Sequence, residues 1–306
     1  MMRYRLLLIS MSIVVILGSI MLTGCRKADD EAKSIVVTYS ILGSIVKELV
    51  GGEATVTILM PDGADPHEWE PSARDIEKVN NADLVIRNGL GLEEGLEETL
   101  QGAEARGVMM FSASDFIEVR HVGPGEGIPG DDPDQQIGAP DPHFWVDPLS
   151  MKRVVTALAP ELKSSLEINA DACARDLETR LDALNSEVAS MAASVPLENR
   201  KLVTGHESMG YFAQRYGFKL VGAVIPNLSS QAEVSAADLA ALIALVTENQ
   251  VRAIFTETGT NSAVAQTVAG AIGAKVVELA TVTLPPDGSY FTYVRNLTGT
   301  IVEALK

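Results

Sequence analysis

The sequence is poor in the residues that usually carry protein chemistry. Its 306 residues include only four histidines, two cysteines and two tryptophans. It has no His-Glu-x-x-His pattern and no nucleophile motif, so no signature of a hydrolase is present. Basic residues are also scarce, with 24 Lys and Arg against 41 Asp and Glu, for a net charge of −17. Such a surface repels nucleic acid and anionic lipid, so neither is an expected partner.

What the sequence does contain predicts a globular extracytoplasmic protein. Its hydrophobic content of 46% and charged content of 21% are typical of a folded chain with a sizeable core. Residues 1–5 hold two arginines, and residues 6–20 form an apolar run that is short for a membrane span and fits a secretory signal. Leu-Thr-Gly-Cys at residues 22–25 looks like a bacterial lipobox, in which Cys25 is lipidated and becomes the first residue. An ordinary amino-terminal membrane anchor is the alternative.

Either reading of the amino-terminal segment places the folded part on the outer face of the cytoplasmic membrane, tethered at its amino end. With Cys25 lipidated, Cys173 has no partner in the chain, so we expect no internal disulfide. The body should be an α/β protein of two lobes, each a mostly parallel sheet flanked by helices, joined by one long rigid helix. The predicted bounds are 1–24 for the signal peptide, 25–33 for a tether, 34–166 for the first lobe, 167–196 for the linking helix and 197–306 for the second lobe.

These bounds follow from changes in the sequence pattern. Short apolar stretches alternate with helical ones up to about residue 112, stop at a Gly- and Pro-rich segment over 119–142, and restart near residue 201. The interrupting segment carries Asp131, Asp132 and Asp134 and should be a mobile surface loop. Residues 171–194 form the predicted linking helix, about 36 Å long at 1.5 Å per residue, which ends at Pro196.

Two matching stretches dominate the sequence. Residues 65–69 and 141–145 both read Asp-Pro-His-x-Trp, and together they contain both tryptophans and two of the four histidines. We call them the first and second DPHxW motifs. Proline fixes φ and biases the preceding residue away from helix, so each motif should be a stiff loop that presents an imidazole. The alternative is a pair of tryptophan-anchored turns that carry histidine by chance.

Three histidines follow or lie in loops at the carboxyl ends of predicted strands: His67, His143 and His206. Ligands bind at that edge of open α/β sheets, and three converging imidazoles predict a transition-metal site, with zinc the first candidate. Imidazole must be neutral to coordinate, so affinity should fall as pH drops through about 6.5. His121 opens the loop over 119–142 and is expected to be merely solvated, with a role in transport as the alternative.

Several motifs then resemble one known family. They are the lipobox, the two DPHxW motifs, Asp-Pro-His-Phe-Trp-Val-Asp-Pro at 141–148, the long helix, the segment 203–217 around Gly-His-Glu-Ser, and Ile-Phe-Thr-Glu at 254–257. The chain is similar, over essentially its whole mature length, to the zinc- and manganese-binding solute-binding lipoproteins of bacterial ABC transporters. The resemblance implies a metal held in the cleft between two lobes and delivered to a membrane permease driven by a cytoplasmic ATPase.

Carried over by position, the resemblance assigns His67 and His143 to the first lobe and His206 to the second. Manganese-selective members often have a carboxylate at the position of His206, so histidine there favours zinc over manganese. The family usually supplies a fourth ligand, an aspartate, where this chain has Val282. Water, Glu257 or Asp287 then remain for the fourth position. Glu257 is slightly favoured, and the alternative is that it braces the loop without binding the metal. Asp287 is typical of a turn residue.

The leading functional hypothesis is a non-enzymatic, monomeric metal receptor for import. The first alternative is an extracellular zinc hydrolase that uses an open coordination position, with Glu257 or Glu68 as general base. The second is a surface adhesion or metal-sequestering protein without a permease. Genes for a permease and an ATPase beside this one would separate the receptor from the second alternative.

Overall fold

The computed structural model describes residues 33–123, 126, 137–258 and 260–306. The predicted signal peptide, the lipidation site Cys25 and the three aspartates of the 119–142 loop lie outside these residues. Cys173 is a free thiol in the described part of the chain. A search of the same residues finds no helix with the length and apolar character needed to cross a membrane.

The first half of the chain builds one four-stranded parallel sheet. Its strands are β1 (Lys33–Val37), β2 (Ala54–Ile58), β3 (Leu84–Arg87) and β4 (Met109–Ser112). Their order is β2-β1-β3-β4, and every neighbouring pair is parallel. Three helices connect them: α1 (Ser40–Val50), α2 (Ala73–Asn80) and α3 (Glu97–Ala105). The central strand β1 is buried at Ile35, Val36 and Val37, as expected for a strand covered on both faces.

Local signals place the ends of these elements. A capping box starts α2, since the Ser72 side chain accepts from the Asp75 amide while the Asp75 carboxylate accepts from Ser72. The apolar stretch that forms β1 ends at Val37. Helix α1 begins at Ser40, and Ser40 and Ile41 are both buried.

Two long helices follow the first sheet. They are α4 (Pro148–Leu166), capped by the Asp147 carboxylate, and α5 (Asp171–Ala193). Helix α5 has 23 residues, or about 34 Å at 1.5 Å each. Its apolar stripe is buried against the rest of the protein, as the 3–4 spacing predicts, at Leu177, Leu181, Leu184 and Val188.

The α/β pattern then restarts. The second half contains β5 (Lys201–Thr204), β6 (Lys219–Ala223), β7 (Ala253–Thr256) and β8 (Lys275–Glu278). Its helices are α6 (Gly210–Tyr216), α7 (Ala236–Glu248), α8 (Ser262–Ile272) and α9 (Tyr290–Leu305). These strands form two parallel pairs, β5–β6 and β7–β8, rather than one continuous ladder. The β5–β6 pair carries a register shift between Leu202 and Val203, which interrupts regular pairing there.

The fold is therefore α/β with two lobes of parallel strands and flanking helices, joined by the long helix α5, as predicted. Hydrogen bonds tie the lobes together around the carboxyl ends of their strands. The Leu284 amide donates to Asp62 Oδ1 at 3.0 Å, and the Gly63 amide donates to the Val282 carbonyl at 3.3 Å. These contacts bring the loop after β2, which carries His67, face to face with the loop after β8.

Candidate metal centre

The first DPHxW motif forms a turn in the loop between β2 and α2. The His67 amide donates to Asp65 Oδ1 at 3.0 Å, and the Trp69 amide donates to the Asp65 carbonyl. An aspartate that accepts from the amide two residues later is the standard Asx-turn, so the motif sets its own backbone shape. Pro66 and His67 are both buried, whereas Trp69 is partly exposed.

The second DPHxW motif repeats the Asx contact with deeper burial. The His143 amide donates to Asp141 Oδ1 at 2.9 Å, the same Asx contact as in the first motif. All five residues of the motif are buried, including Trp145, whose indole Nε1 donates to the Thr281 carbonyl of the second lobe at 2.9 Å. One short 3-10 turn, Phe144–Val146, leads from the motif into α4.

The third histidine comes from the second lobe. His206 follows β5 after Gly205 and is buried. A Cβ on Gly205 would lie 2.0 Å from the Thr260 hydroxyl and 3.2 Å from the Glu257 amide, so only glycine allows this close approach of the β5 and β7 loops. The same loop presents the Gly205 amide to Glu257 Oε1 at 3.0 Å, which fixes the backbone that carries His206.

The three histidines meet at one point between the lobes. His143 Nε2 lies 3.2 Å from His67 Nε2 and 3.1 Å from His206 Nε2. One ligand nitrogen from each ring lies within 4.8 Å of the other two. The cavity they border has a volume of about 10 Å³, the size of a single water-sized sphere. Three buried imidazoles around so small a space fit one ion and leave no room for an organic substrate.

Each imidazole has a carboxylate beside its other nitrogen. His67 Nδ1 lies 3.1 Å from Glu94 Oε1, His143 Nδ1 lies 2.9 Å from Asp141 Oδ1, and His206 Nδ1 lies 3.5 Å from Glu257 Oε2. A carboxylate on Nδ1 favours the tautomer that keeps its proton there, which leaves the Nε2 lone pair free to coordinate. All three Nε2 atoms are thus prepared as ligands on the side that faces the cavity.

Burial also keeps two of the rings neutral. Desolvation lowers the pKa of His143 below its usual 6.5, although Asp141 opposes the shift. Desolvation lowers the pKa of His206 further, and the neighbouring rings His143 and His67 add to the effect. From the sequence alone, protonation of the coordinating imidazoles is expected near the ordinary histidine pKa. The buried surroundings of His143 and His206 move their protonation to more acidic pH.

The other candidates for a fourth ligand lie elsewhere. Glu257 contacts His206 on the Nδ1 side, away from the three Nε2 atoms, and its carboxylate also accepts from the Ser208 hydroxyl at 2.7 Å. Burial raises the pKa of Glu257 to about 7. Asp287 is exposed and accepts from the Ser289 amide and the Thr292 hydroxyl, which makes it a turn residue before α9. Val282, in contrast, borders the cavity itself.

Sequence reasoning missed the residues that orient the histidines. Asp141 had a local signal, because an aspartate two residues before a histidine predicts an Asx-turn. Its second role, binding His143 Nδ1, and the pairing of its Oδ2 with Arg120 Nη1 at 3.0 Å required the folded structure. Glu94 had no signal at all, since it lies in a short acidic 3-10 turn 27 residues away from His67.

A two-lobed α/β protein with an ion-sized cluster of histidines in the cleft belongs, by fold and site, with the solute-binding proteins. Residues 35–304 match the family described as the periplasmic component A of zinc-uptake complexes, ZnuA. Because that match covers most of the chain, the protein belongs to this family, whose members are transport components and not enzymes.

Curated relatives and solved structures agree with this family. The manganese-binding lipoprotein MntA of Halalkalibacterium halodurans is 28% identical, over 96% of this chain and 97% of its own. The high-affinity zinc uptake system protein ZnuA of Bacillus subtilis is 30% identical, over 88% of this chain and 84% of its own. The structure of the periplasmic zinc-binding protein TroA from Treponema pallidum superposes with a TM-score of 0.75 at 27% identity, covering 89% of this chain and 99% of that one. These relatives are named for two different metals.

Proposed function

We propose that this protein is an extracytoplasmic solute-binding lipoprotein that captures a divalent transition metal between its lobes and delivers it to an ABC permease. The proposed ligands are His67, His143 and His206. One observation carries the proposal: His143 Nε2 lies 3.2 Å from His67 Nε2 and 3.1 Å from His206 Nε2 of the other lobe, and Nδ1 of each ring faces a carboxylate. Membership of a zinc-uptake family supports the transport role.

Zinc is the proposed cargo and manganese the second candidate. Three nitrogen ligands suit zinc, whereas manganese prefers oxygen ligands. Val282 borders the cavity where a ligand side chain would otherwise add an oxygen. We assign the fourth position to water and give Glu257 the role of orienting His206, because its carboxylate lies on the Nδ1 side of that ring.

The remaining organisation follows the sequence. We propose residues 34–166 as the first lobe, 167–196 as the link and 197–306 as the second lobe, with β1 starting at Lys33. Lipidation of Cys25 would anchor a monomer to the outer face of the cytoplasmic membrane. The hydrolase alternative finds little support, because a cavity of about 10 Å³ admits an ion but no peptide or ester. Metal sequestration without a permease would be distinguished by the absence of permease and ATPase genes nearby.

The direct test is metal binding by the full chain purified in detergent. We expect elemental analysis to find one zinc per chain, and zinc to outcompete equimolar manganese, because the ligand nitrogens favour it. Zinc should stabilise the fold by about 4 kcal/mol when free metal is a thousandfold above the dissociation constant. A chain that retains no stoichiometric zinc or manganese after desalting would refute the proposal.

The affinity for zinc should depend on pH in a shifted range. Protons compete for imidazole only as pH approaches the folded-state pKa, and burial lowers that pKa for His143 and His206. We therefore expect little loss of affinity from neutral pH down to about 6.5 and a steep loss below it. Chelator competition at a series of pH values measures this, and a midpoint at or above the ordinary histidine value would contradict it.

A further inference from the structure

A glycine of the second lobe lies directly on the ion pair that holds His143. Arg120 Nη1 and Asp141 Oδ2 are 3.0 Å apart, and both side chains are buried. Gly210, the first residue of α6, packs against this pair from the other lobe. Neither Gly210 nor Arg120 is among the proposed ligands, so any effect on metal must pass through His143.

The space at Gly210 is too small for any side chain. A Cβ built there would lie 2.3 Å from Asp141 Oδ2, 2.4 Å from Arg120 Nη1 and 2.6 Å from Arg120 Cζ. All three distances are far below carbon–heteroatom van der Waals contact, which begins near 3.4 Å. A methyl group at position 210 must therefore displace the ion pair or hold the lobes apart.

The ion pair has little freedom to yield. Asp141 Oδ1 accepts from both the amide and Nδ1 of His143, so a shift of the carboxylate turns the ring. Arg120 Nη2 is paired with Glu126 on its other side. The nearby backbone is fixed as well, because the Arg120 amide donates to the Tyr211 hydroxyl at 2.9 Å and that hydroxyl donates to the Asp141 carbonyl at 3.1 Å. Moving the lobes apart would break these bonds between them.

We propose that Gly210 is a positioning residue for metal capture: its missing side chain lets the second lobe close onto the Arg120–Asp141 pair, so that lobe closure and the orientation of His143 are one event. The inference rests on the proposed metal-binding function and extends it. The contact that brings His206 to His143 is then the same contact that holds the Asp141 carboxylate against His143 Nδ1. Binding of metal and closure of the cleft stabilise each other through this contact.

The test compares Gly210→Ala with Gly270→Ala in the full chain. Gly270 lies in α8 of the same lobe with open space at its Cβ position, so it controls for a glycine-to-alanine change in a helix.

We expect Gly210→Ala to weaken zinc binding by about ten- to a hundredfold, the usual effect of disturbing a partner of a metal ligand. The visible absorption of bound Co²⁺ should change as His143 turns, which a general loss of stability would not cause. In Gly210→Ala, zinc should also protect the amides of residues 204–212 from hydrogen exchange less than it does in the wild type. Gly270→Ala should match the wild type in all three measurements.

The double variant Arg120→Ala/Gly210→Ala tests the steric cause. Removing the guanidinium makes room for the methyl group, so the alanine at 210 should cost less zinc affinity in the Arg120→Ala background than in the wild type. If Gly210→Ala alone does not fold, the double variant should recover the fold, and failure to recover it overturns the inference. Wild-type affinity, Co²⁺ spectrum and exchange protection in Gly210→Ala would also overturn it. A wild-type chain that binds no zinc would overturn the proposed function itself. If the wild-type chain does bind zinc, the outcomes above overturn only the role of Gly210.

Discussion

The two DPHxW motifs share an Asx contact and have very different surroundings. In both, the aspartate accepts from the histidine amide at 2.9–3.0 Å, and in both the imidazole Nε2 reaches the cleft. In the second motif the aspartate also binds Nδ1 of its own histidine and a buried arginine. In the first motif, Nδ1 of His67 contacts Glu94 instead, whose side chain is 42% exposed. Sequence repetition thus fixed the turn, while the partners of each ring were fixed by the rest of the fold.

The comparison predicts unequal roles for the two histidines. His143 Nε2 lies close to both other rings, whereas His67 Nε2 has a hydrogen-bonding distance to His143 alone. We expect His143→Ala to remove most of the roughly 4 kcal/mol that excess zinc adds to stability, and His67→Ala to remove less. Thermal unfolding with and without zinc measures both. His121→Ala is the control, because His121 is exposed and is not among the proposed ligands, and it should keep the full zinc shift. An unchanged shift in His143→Ala would refute its assignment as a ligand.

The carboxylate partners should differ in the same direction but less strongly. Asp141→Asn removes the negative charge beside His143 Nδ1 and one of the counterions of buried Arg120, so it should cost ten- to a hundredfold in zinc affinity and roughly 3 kcal/mol in stability. Glu94→Gln disturbs a half-exposed partner of His67 and should change stability by less than about 1 kcal/mol. Zinc titration and chemical denaturation measure the two effects. Equal stability losses in Asp141→Asn and Glu94→Gln would show that the deeper burial of the second motif does not make its carboxylate more important for stability.

The smallest difference should lie in the tryptophans. Trp145 is buried, and its indole donates to the Thr281 carbonyl across the cleft, whereas Trp69 is partly exposed. Trp145→Phe removes one of two donors to that carbonyl, the other being the Tyr293 hydroxyl at 2.7 Å, and should cost about 1 kcal/mol. Trp69→Phe should cost about 0.5 kcal/mol or less. Denaturation midpoints of both variants check this, and a larger loss for Trp69→Phe would reverse the ranking.

Much of the architecture was accessible from the sequence because it depends on local patterns. Alternating strand and helix patterns predicted the two α/β lobes, and the 3–4 spacing of leucines predicted the buried stripe of α5. Ser72 and Ser235, each followed three residues later by an aspartate, form the capping boxes that start α2 and α7. The two-by-two pairing of the second-lobe strands was not accessible, since strand pairing depends on residues far apart in the chain.

The sequence alone determined which groups were available: four histidines, two of them in matching Asp-Pro-His-x-Trp motifs, and a valine at 282. Residue order also fixed the shape of each turn, because the Asx contact spans only two residues. Only the tertiary structure decided which carboxylate stands behind each imidazole, that Glu257 lies on the far side of His206, and that Gly210 fits against Arg120 and Asp141. Apart from the Asp141–His143 contact, these contacts join residues at least 27 positions apart, and their distances depend on how distant segments pack rather than on any local preference.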